Sequence, residues 1–145
     1  MSRASHLNWR HLGLVVVGGV FGTAAREGLT LAFPGINGLP TTTLMINIFG
    51  AFLLGLLLES LLRAGSDQGV RRTLRLMLGT GFCGGFTTYS AFAVDARLLF
   101  DGHWPLGGPA AGVALIAATV LIGAAATWAG LATASWRRPL RQAGS

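Results

Sequence analysis

Long apolar stretches separated by short polar ones make up most of the chain. A helix that crosses the ~30 Å hydrocarbon core of a bilayer needs about 20 mostly apolar residues. The pattern predicts four such spans, at about residues 12–33, 39–62, 74–100 and 110–134. Turn-forming or charged residues fill the connections, at residues 34–40, 63–72 and 101–105. The predicted fold is all-α: a polytopic membrane protein with a single four-helix transmembrane domain over residues 1–145.

The N-terminal segment allows a second interpretation. Basic residues in 1–11, an apolar run at 12–20 and the small residues at 23–25 resemble a secretory signal sequence with its cleavage point. The apolar run, however, continues to Phe33, beyond any such point. This continuation favours a helix that is retained in the membrane.

The composition supports a membrane protein and excludes several other classes. Charged residues make up 11% of the chain, whereas a soluble globular domain has about 25%. The 22 glycines lie inside apolar runs, which is typical of close helix packing in lipid rather than of a disordered or collagen-like chain. Cys83 is the single cysteine, which excludes a disulfide framework and a cysteine metal cluster. Three pairs of glycines four residues apart predict close contacts between helices: Gly18 and Gly22, Gly81 and Gly85, and Gly108 and Gly112.

The reactive side chains give no support for an enzyme. His6, His11 and His103 lie in flanks and a loop, without the spacing of metal ligands. No Ser–His–acid set can be placed at membrane depth, and no glycine-rich loop is followed by a lysine. The net charge of +6 is typical of nucleic-acid binding, but so apolar a chain offers no exposed basic groove.

The arginines predict the orientation in the membrane. With four spans, both termini and the connection at residues 63–72 lie on one side. That side carries nine arginines: Arg3, Arg10, Arg63, Arg71, Arg72, Arg75, Arg137, Arg138 and Arg141. Only Arg26 and Arg97 lie toward the other side. By the positive-inside rule we expect both termini in the cytoplasm and the chain in the cell (plasma) membrane.

Two polar residues within the predicted spans are costly to place in lipid. Arg26 lies toward the outer end of the first span, and a charge at the bilayer centre costs about 2.5 to 3.5 kcal/mol on insertion scales. It either faces protein or water, or reaches the interface beside Glu27, and position alone favours neither. Asn47 lies near the middle of the second span, where its amide needs hydrogen-bond partners. On spacing alone, a hydrogen bond between two helices explains Asn47 slightly better than a functional role.

The centre of the third span predicts an interruption of the helix. Gly84 and Gly85 are followed by Thr87 and Thr88. Glycine costs about 1 kcal/mol relative to alanine in a helix interior, and threonine has a restricted χ1 angle. An unwound turn exposes carbonyl oxygens that need protein, water or a cation as a partner. Such breaks often mark ion sites in transport proteins.

Two aromatic residues follow this predicted interruption. Tyr89 and Phe92 are three residues apart and share a helical face. The edge of an aromatic ring carries positive partial charge, so that it can approach a small anion. Taken alone, however, such a pair is better explained by ordinary packing against lipid or another helix.

Three stretches together resemble the Fluc (CrcB) family of fluoride channels. They are Gly18 to Arg26 (GGVFGTAAR), Thr43 to Gly50 (TLMINIFG) and Gly84 to Phe92 (GGFTTYSAF), in the first three spans. Their order and spacing and the four-span length match over essentially the whole chain. The resemblance implies a passive, fluoride-selective channel that lets cytoplasmic fluoride escape and so confers fluoride resistance. It also implies an antiparallel dimer with two pores and one structural sodium ion at its centre.

The family's functional residues map onto these stretches and onto the fourth span. The resemblance implies that the backbone carbonyls of Gly84 and Thr87 bind sodium (Na+). It further implies that the Asn47 amide donates to fluoride, and that the ring edges of Tyr89 and Phe92 face the ion. The remaining implied pore residues are Thr43, Ser90 and Thr119 as polar lining and Arg26 near the entrance, where it would attract anions.

Departures from the family pattern change the expected assembly. Tyr89 replaces the usual first phenylalanine, and Ala91 stands where a threonine is common. A homodimer of inverted copies requires little charge bias, whereas this chain has nine arginines on one side and two on the other. We therefore expect a fixed orientation and pairing with an oppositely oriented homologous subunit.

Two other functions remain as alternatives. A proton-coupled exporter of the small multidrug-resistance type also has four spans, but it needs a carboxylate deep in its first span. This chain offers only Glu27, near the end of that span and beside Arg26. A non-transporting membrane assembly subunit explains the glycine-rich faces but not Asn47 together with a hydroxyl-rich helix break. Fluoride flux and its dependence on protons separate these alternatives.

Overall fold

The computed structural model describes residues 8–35, 41–103 and 107–136. Within these ranges the chain is helical and has no β-strand. The helices are α1 (Trp9–Ala32), α2 (Thr41–Ala64), α3 (residues 70–86), α4 (Tyr89–Phe100) and α5 (Pro109–Trp136). Several residues of the predicted flanks and connections lie outside the described residues: Arg3, His6, Asn37, Gly38, Pro40, Trp104, Pro105, Arg137, Arg138 and Arg141.

Three of the described helices, α1, α2 and α5, are long and apolar enough to cross a membrane. The predicted third span, residues 74–100, is divided between α3 and α4, and α4 has only 12 residues. Large apolar side chains face outward, including Phe21 at 66% and Leu121 at 70% exposure. None of the polar or charged residues that the structure describes is buried. This distribution suits a lipid surround, and the chain is an all-helical membrane protein, as the apolar pattern predicts.

Local chemistry explains where the long helices begin and end. Asn8 precedes α1, and its side-chain oxygen accepts a hydrogen bond from the Arg10 backbone N–H at 3.1 Å. The last hydrogen bond of α1 runs from the Phe33 N–H to the Leu29 carbonyl, at 2.9 Å. Pro34 has no N–H group and cannot continue the helical hydrogen bonds. Helix α5 begins with Pro109, whose missing N–H costs nothing at the first helical position.

The connection between α2 and α3 is shorter than predicted, covering residues 65–69 rather than 63–72. Arg63 stays in α2, where its Nε lies 2.5 Å from Glu59 Oε1, one helical turn earlier. On the other side of the loop, Arg75 donates to both carboxylate oxygens of Asp67, at 3.0 and 2.7 Å. These hydrogen bonds lower the pKa of Asp67 below its ordinary value of 3.8. Charged residues therefore extend both helices into the predicted loop, where Arg63 and Arg75 have ionic partners and Arg71 donates to the Ala64 and Ser66 carbonyls.

Helices α1 and α3 approach closely through glycines. A Cβ atom added to Gly22 would lie 2.1 Å from the Phe82 carbonyl oxygen, and one added to Gly85 would lie 2.4 Å from the Gly19 carbonyl oxygen. The remaining members of these two predicted pairs are equally crowded: Gly18 and Gly81. The prediction of close backbone contact is confirmed for both pairs.

The second close contact joins α2 to α5. A Cβ atom added to Gly55 or Gly130 would lie 2.4 or 2.3 Å from a carbonyl oxygen of the facing helix. In the third predicted pair, a Cβ atom on Gly112 would lie 2.9 Å from the Phe100 side chain, so this glycine does pack closely. The prediction was wrong for Gly108, which precedes α5 with φ at +144° and has nothing within 4 Å. A turn, rather than a helix contact, requires glycine there.

Candidate functional site

Helix α3 ends and α4 begins at two threonines with extended backbone angles. Thr87 has φ −78° and ψ 155°, and Thr88 has φ −142° and ψ 127°. Thr87 closes α3, because its N–H and its hydroxyl both donate to the Cys83 carbonyl, at 3.0 and 2.9 Å. Thr88 opens α4, because its Oγ1 accepts the Ala91 N–H at 3.2 Å. The preceding stretch Arg75–Cys83 is a π-helix, a form often found at functional sites.

Asn47 of α2 binds the backbone of this interruption with both ends of its amide. Its Nδ2 donates to the Thr88 carbonyl at 3.0 Å, and its Oδ1 accepts the Thr88 N–H at 2.9 Å. In a continuous α-helix that N–H would donate to the Gly84 carbonyl, so that Asn47 replaces a helical hydrogen bond. The expected bond between helices is confirmed, and its target is the helix interruption itself. The carboxamide carries two N–H groups, and this bond uses one of them.

Arg26 contacts the same interruption from α1. Its Nε lies 3.3 Å from the Gly85 carbonyl oxygen, and the Thr23 hydroxyl donates to that oxygen at 3.4 Å. The guanidinium also lies 2.8 Å from Glu27 Oε1, and the Arg26 side chain is 22% exposed. Arg26 thus contacts protein, as the first of the two alternatives expects, and it also pairs with Glu27.

Tyr89 and Phe92 lie together on one face of α4, directly after the interruption. Their ring centroids are 6.3 Å apart and the rings are tilted by 54°, which confirms the shared face. Both line a groove of about 460 Å³ between α4 and α5, with Arg97 also contributing to its wall. The neighbouring Ser90 hydroxyl lies 3.3 Å from Thr88 Oγ1. These two aromatic rings and a guanidinium group therefore border one groove, and the Thr88 and Ser90 hydroxyls lie on either side of Tyr89 in the chain.

An acidic residue that the sequence analysis did not single out lies beside these groups. Asp95 is on α4, one turn after Phe92, and its carboxyl group faces the Thr43 side chain of α2. Thr43 in turn lies one turn before Asn47 on α2. A charged residue within an apolar span is a functional signal in its own right, so the sequence contained the clue. Asn47 thus attaches α2 to the beginning of α4, and Thr43 faces the middle of the same helix.

Two predicted site residues lie apart from these contacts. The Thr119 hydroxyl donates to the Leu115 carbonyl of its own helix, at 2.8 Å. Ile116, three residues before Thr119, and Val120, directly after it, nevertheless line the groove between α4 and α5. Gly84 is exposed, with nothing within 4 Å of the position that a Cβ atom would take.

Apolar membrane-crossing helices around a hydrogen-bonded helix interruption define a class: the polytopic membrane proteins that handle ions at broken helices. Comparison with known proteins places the chain within that class. Residues 13–131 match the family described as "CrcB-like protein, Camphor Resistance (CrcB)". The chain belongs to the CrcB family, and the resemblance drawn from its three motif stretches is confirmed.

Curated relatives cover most of the chain. A protein of Leifsonia xyli subsp. xyli, named fluoride-specific ion channel FluC 2, is 51% identical over 136 residues, which are 91% of each chain. Fluoride-specific ion channel FluC 1 of Cutibacterium acnes is 45% identical over 119 residues, covering 81% of this chain and 80% of the relative. Fluoride-specific ion channel FluC 1 of Streptomyces coelicolor is 36% identical over 143 residues, covering 94% and 86%. These relatives are ion channels by name, not enzymes.

Proposed function

We propose that this chain is a subunit of a fluoride-selective channel that releases cytoplasmic fluoride down its gradient and so confers fluoride resistance. Relatives up to 51% identical are named fluoride-specific ion channels. The observation that carries the proposal is the Asn47 amide on the backbone of the helix interruption. It brings a polar donor to the start of α4, where Tyr89 and Ser90 follow, and lipid packing does not explain a polar donor within an apolar span.

In the proposed pathway, groups of positive partial charge replace the water that fluoride leaves behind. The second N–H of the Asn47 amide is a donor, and the edges of Tyr89 and Phe92 carry positive partial charge. Arg26 lies on the α1 side of the interruption, at the Gly85 carbonyl. Three hydroxyl groups extend the polar lining: those of Thr43, Ser90 and Thr119.

A structural sodium ion fits the carbonyl groups at the end of α3. Unwound backbone carbonyls are suitable ligands for Na+ in membrane proteins. The Thr88 N–H is engaged by Asn47 instead of by the Gly84 carbonyl, and the extended angles of Thr87 turn its own carbonyl away from the helical direction. Gly84 lies on an exposed face, where carbonyls of two subunits can meet. Gly84 and Thr87 are therefore the residues that would bind the ion at the centre of an antiparallel dimer.

The arginine bias supports a fixed orientation and a homologous partner of opposite orientation. In the proposed arrangement α3 and α4 together make the third of four crossings, so that both termini lie on the arginine-rich, cytoplasmic side. The described residues retain the bias, with Arg10, Arg63, Arg71, Arg72 and Arg75 on one side and Arg26 and Arg97 on the other. Each of the latter two has an acidic partner at 2.8 Å, Glu27 and Asp101. Reporter fusions in cells that express this chain alone should show one orientation; both orientations in one membrane would support a homodimer instead.

Efflux from liposomes tests the channel directly. In detergent the subunits are released from their inserted orientation, so purified protein can pair antiparallel before reconstitution. We expect fluoride efflux, measured with an electrode, to exceed chloride efflux by at least about a hundredfold, a difference of roughly 2.7 kcal/mol in barrier height. Liposomes without protein are the control. Equal efflux of both anions, or none from dimers of this chain and none from its dimers with the oppositely oriented homologue, would contradict the proposal.

The same assay also tests the alternative function, a proton-coupled exporter. Glu27, the acidic residue of the first span, is 56% exposed and paired with Arg26, which is a poor site for exchanging protons with a substrate. Channel flux should follow the fluoride gradient alone. An imposed pH gradient that drives fluoride against its own gradient would support the exporter.

A further inference from the structure

The Gly85 carbonyl lies where the interruption removes its helical donor. In a continuous helix this carbonyl would accept the N–H of Tyr89. The extended residues Thr87 and Thr88 stand between them and carry Tyr89 into a new helix. A carbonyl without a donor is costly at membrane depth. The last turn of α3 therefore needs a donor from outside its own helix.

Helix α1 supplies that donor twice. The Arg26 Nε lies 3.3 Å and the Thr23 hydroxyl 3.4 Å from the Gly85 carbonyl oxygen. The approach depends on glycine, because a Cβ atom on Gly85 would lie 2.4 Å from the Gly19 carbonyl and 3.0 Å from Thr23 Oγ1. A guanidinium at this place also interacts favourably with the negative end of the α3 dipole.

The charge of Arg26 is balanced where it lies. Glu27 Oε1 is 2.8 Å from the Arg26 guanidinium, so that an anion approaching from the solvent meets an ion pair rather than a free cation. Attraction of fluoride over a distance requires net charge. The geometry thus favours the hydrogen bond to Gly85 over electrostatic steering.

We infer that Arg26 is a positioning residue: it caps the C-terminus of α3 and so maintains the interruption that Asn47 of α2 binds at Thr88. Its role differs from that of an anion-attracting residue at the pore entrance. The inference rests on the proposed channel function only for its flux measurement.

Two substitutions separate the hydrogen bond from the charge. Arg26→Gln removes the charge and retains an N–H donor, whereas Arg26→Met removes both. We expect fluoride efflux to stay within about threefold of wild type for Gln and to fall by about tenfold or more for Met, the range expected for losing a charge-assisted hydrogen bond. Arg10→Met, at the opposite end of α1, is the matched control and should conduct like wild type.

Ionic strength distinguishes the two roles. A helix cap acts through a hydrogen bond at contact distance, which salt screens little. The ratio of efflux through Arg26→Gln to efflux through Arg26→Met should therefore be the same at about 10 mM and about 1 M salt, although the Debye length falls about tenfold. Equal losses for Gln and Met that shrink at high salt would overturn the inference in favour of steering. Wild-type efflux from Arg26→Met would overturn it as well.

Amide hydrogen exchange supplies a readout that does not depend on flux. Thr23→Val removes the second donor to Gly85 and should speed exchange in peptides that cover residues 86–92, but not in α5. Thr133→Val is the control, since the Thr133 hydroxyl donates to Ala129 within its own helix at 2.7 Å. Unchanged exchange at residues 86–92 in both Thr23→Val and Arg26→Met would contradict the cap. If wild-type protein passed no fluoride while these exchange changes appeared, the channel function would fail and the cap would stand.

Discussion

Asn47→Asp is the substitution that tests the proposed pathway most directly, because it changes one NH2 group into an oxygen. The Oδ1 partner of the Thr88 N–H, at 2.9 Å, is preserved. The other half of the pair is lost, since a carboxylate oxygen would face the Thr88 carbonyl where the amide now donates at 3.0 Å. The substitution therefore has two unfavourable effects. The Thr88 carbonyl loses its hydrogen-bond donor, and a negative charge lies beside the proposed path of an anion.

The negative charge has the larger free-energy cost of the two effects. Loss of a donor to a part-buried carbonyl costs about 1 to 3 kcal/mol. Two unit charges 4 Å apart repel by about 4 kcal/mol at an effective dielectric constant of about 20. Since about 1.4 kcal/mol is a factor of ten in an equilibrium constant, the occupancy of fluoride at this position should fall by about three orders of magnitude.

Fluoride efflux from proteoliposomes measures this loss, and Asn47→Ser is the matched control. Serine also loses the two-bond contact with Thr88, but it is neutral and keeps a hydroxyl donor. We expect efflux through Asn47→Ser to fall by about tenfold and efflux through Asn47→Asp to fall below detection, with both variants dimeric by size-exclusion chromatography. Efflux through Asn47→Asp equal to that of Asn47→Ser would show that the charge does not face the anion. Wild-type efflux through Asn47→Asp would remove Asn47 from the pathway.

Three further predictions concern packing, ring chemistry and pH. Gly22→Ala should destabilise the protein by about 1 to 3 kcal/mol, because the added methyl overlaps the facing α3 backbone; thermal unfolding measures this, and Gly28→Ala, with nothing within 4 Å, should cause no loss. Tyr89→Phe should keep fluoride efflux within about threefold of wild type, because the ring edge is retained, and a block of efflux would instead assign the role to the hydroxyl. Asp67 has a lowered pKa in the folded protein, so its bond to Arg75 should persist at neutral pH and be lost as the pH falls below 3.8 toward that lowered value. Relative to the intrinsic exchange rate at each pH, the protection of residues 65–69 should then fall in wild type, whereas in Asp67→Asn it should stay nearly constant.

Local signals in the sequence account for the secondary structure. Apolar runs of bilayer length predict the helices, because lipid offers no partner for an unsatisfied backbone. The glycine pairs of α1 and α3 predict close contact correctly, since four-residue spacing puts both glycines on one face. The same spacing was misleading at Gly108, where glycine serves a turn with φ at +144°. Charge alone was also misleading at residues 63–72, because the Arg63–Glu59 pair lets α2 continue.

By itself, the sequence determined the class of the protein, its helical segments and the identity of its motif residues, because each of these follows from hydropathy and residue type along a short stretch. Only the tertiary structure decided what those residues contact. Asn47 lies 41 positions from Thr88, and Arg26 lies 59 positions from Gly85. Both pairs form because close-packed helices bring side-chain donors and acceptors to backbone groups that the interruption leaves without helical partners.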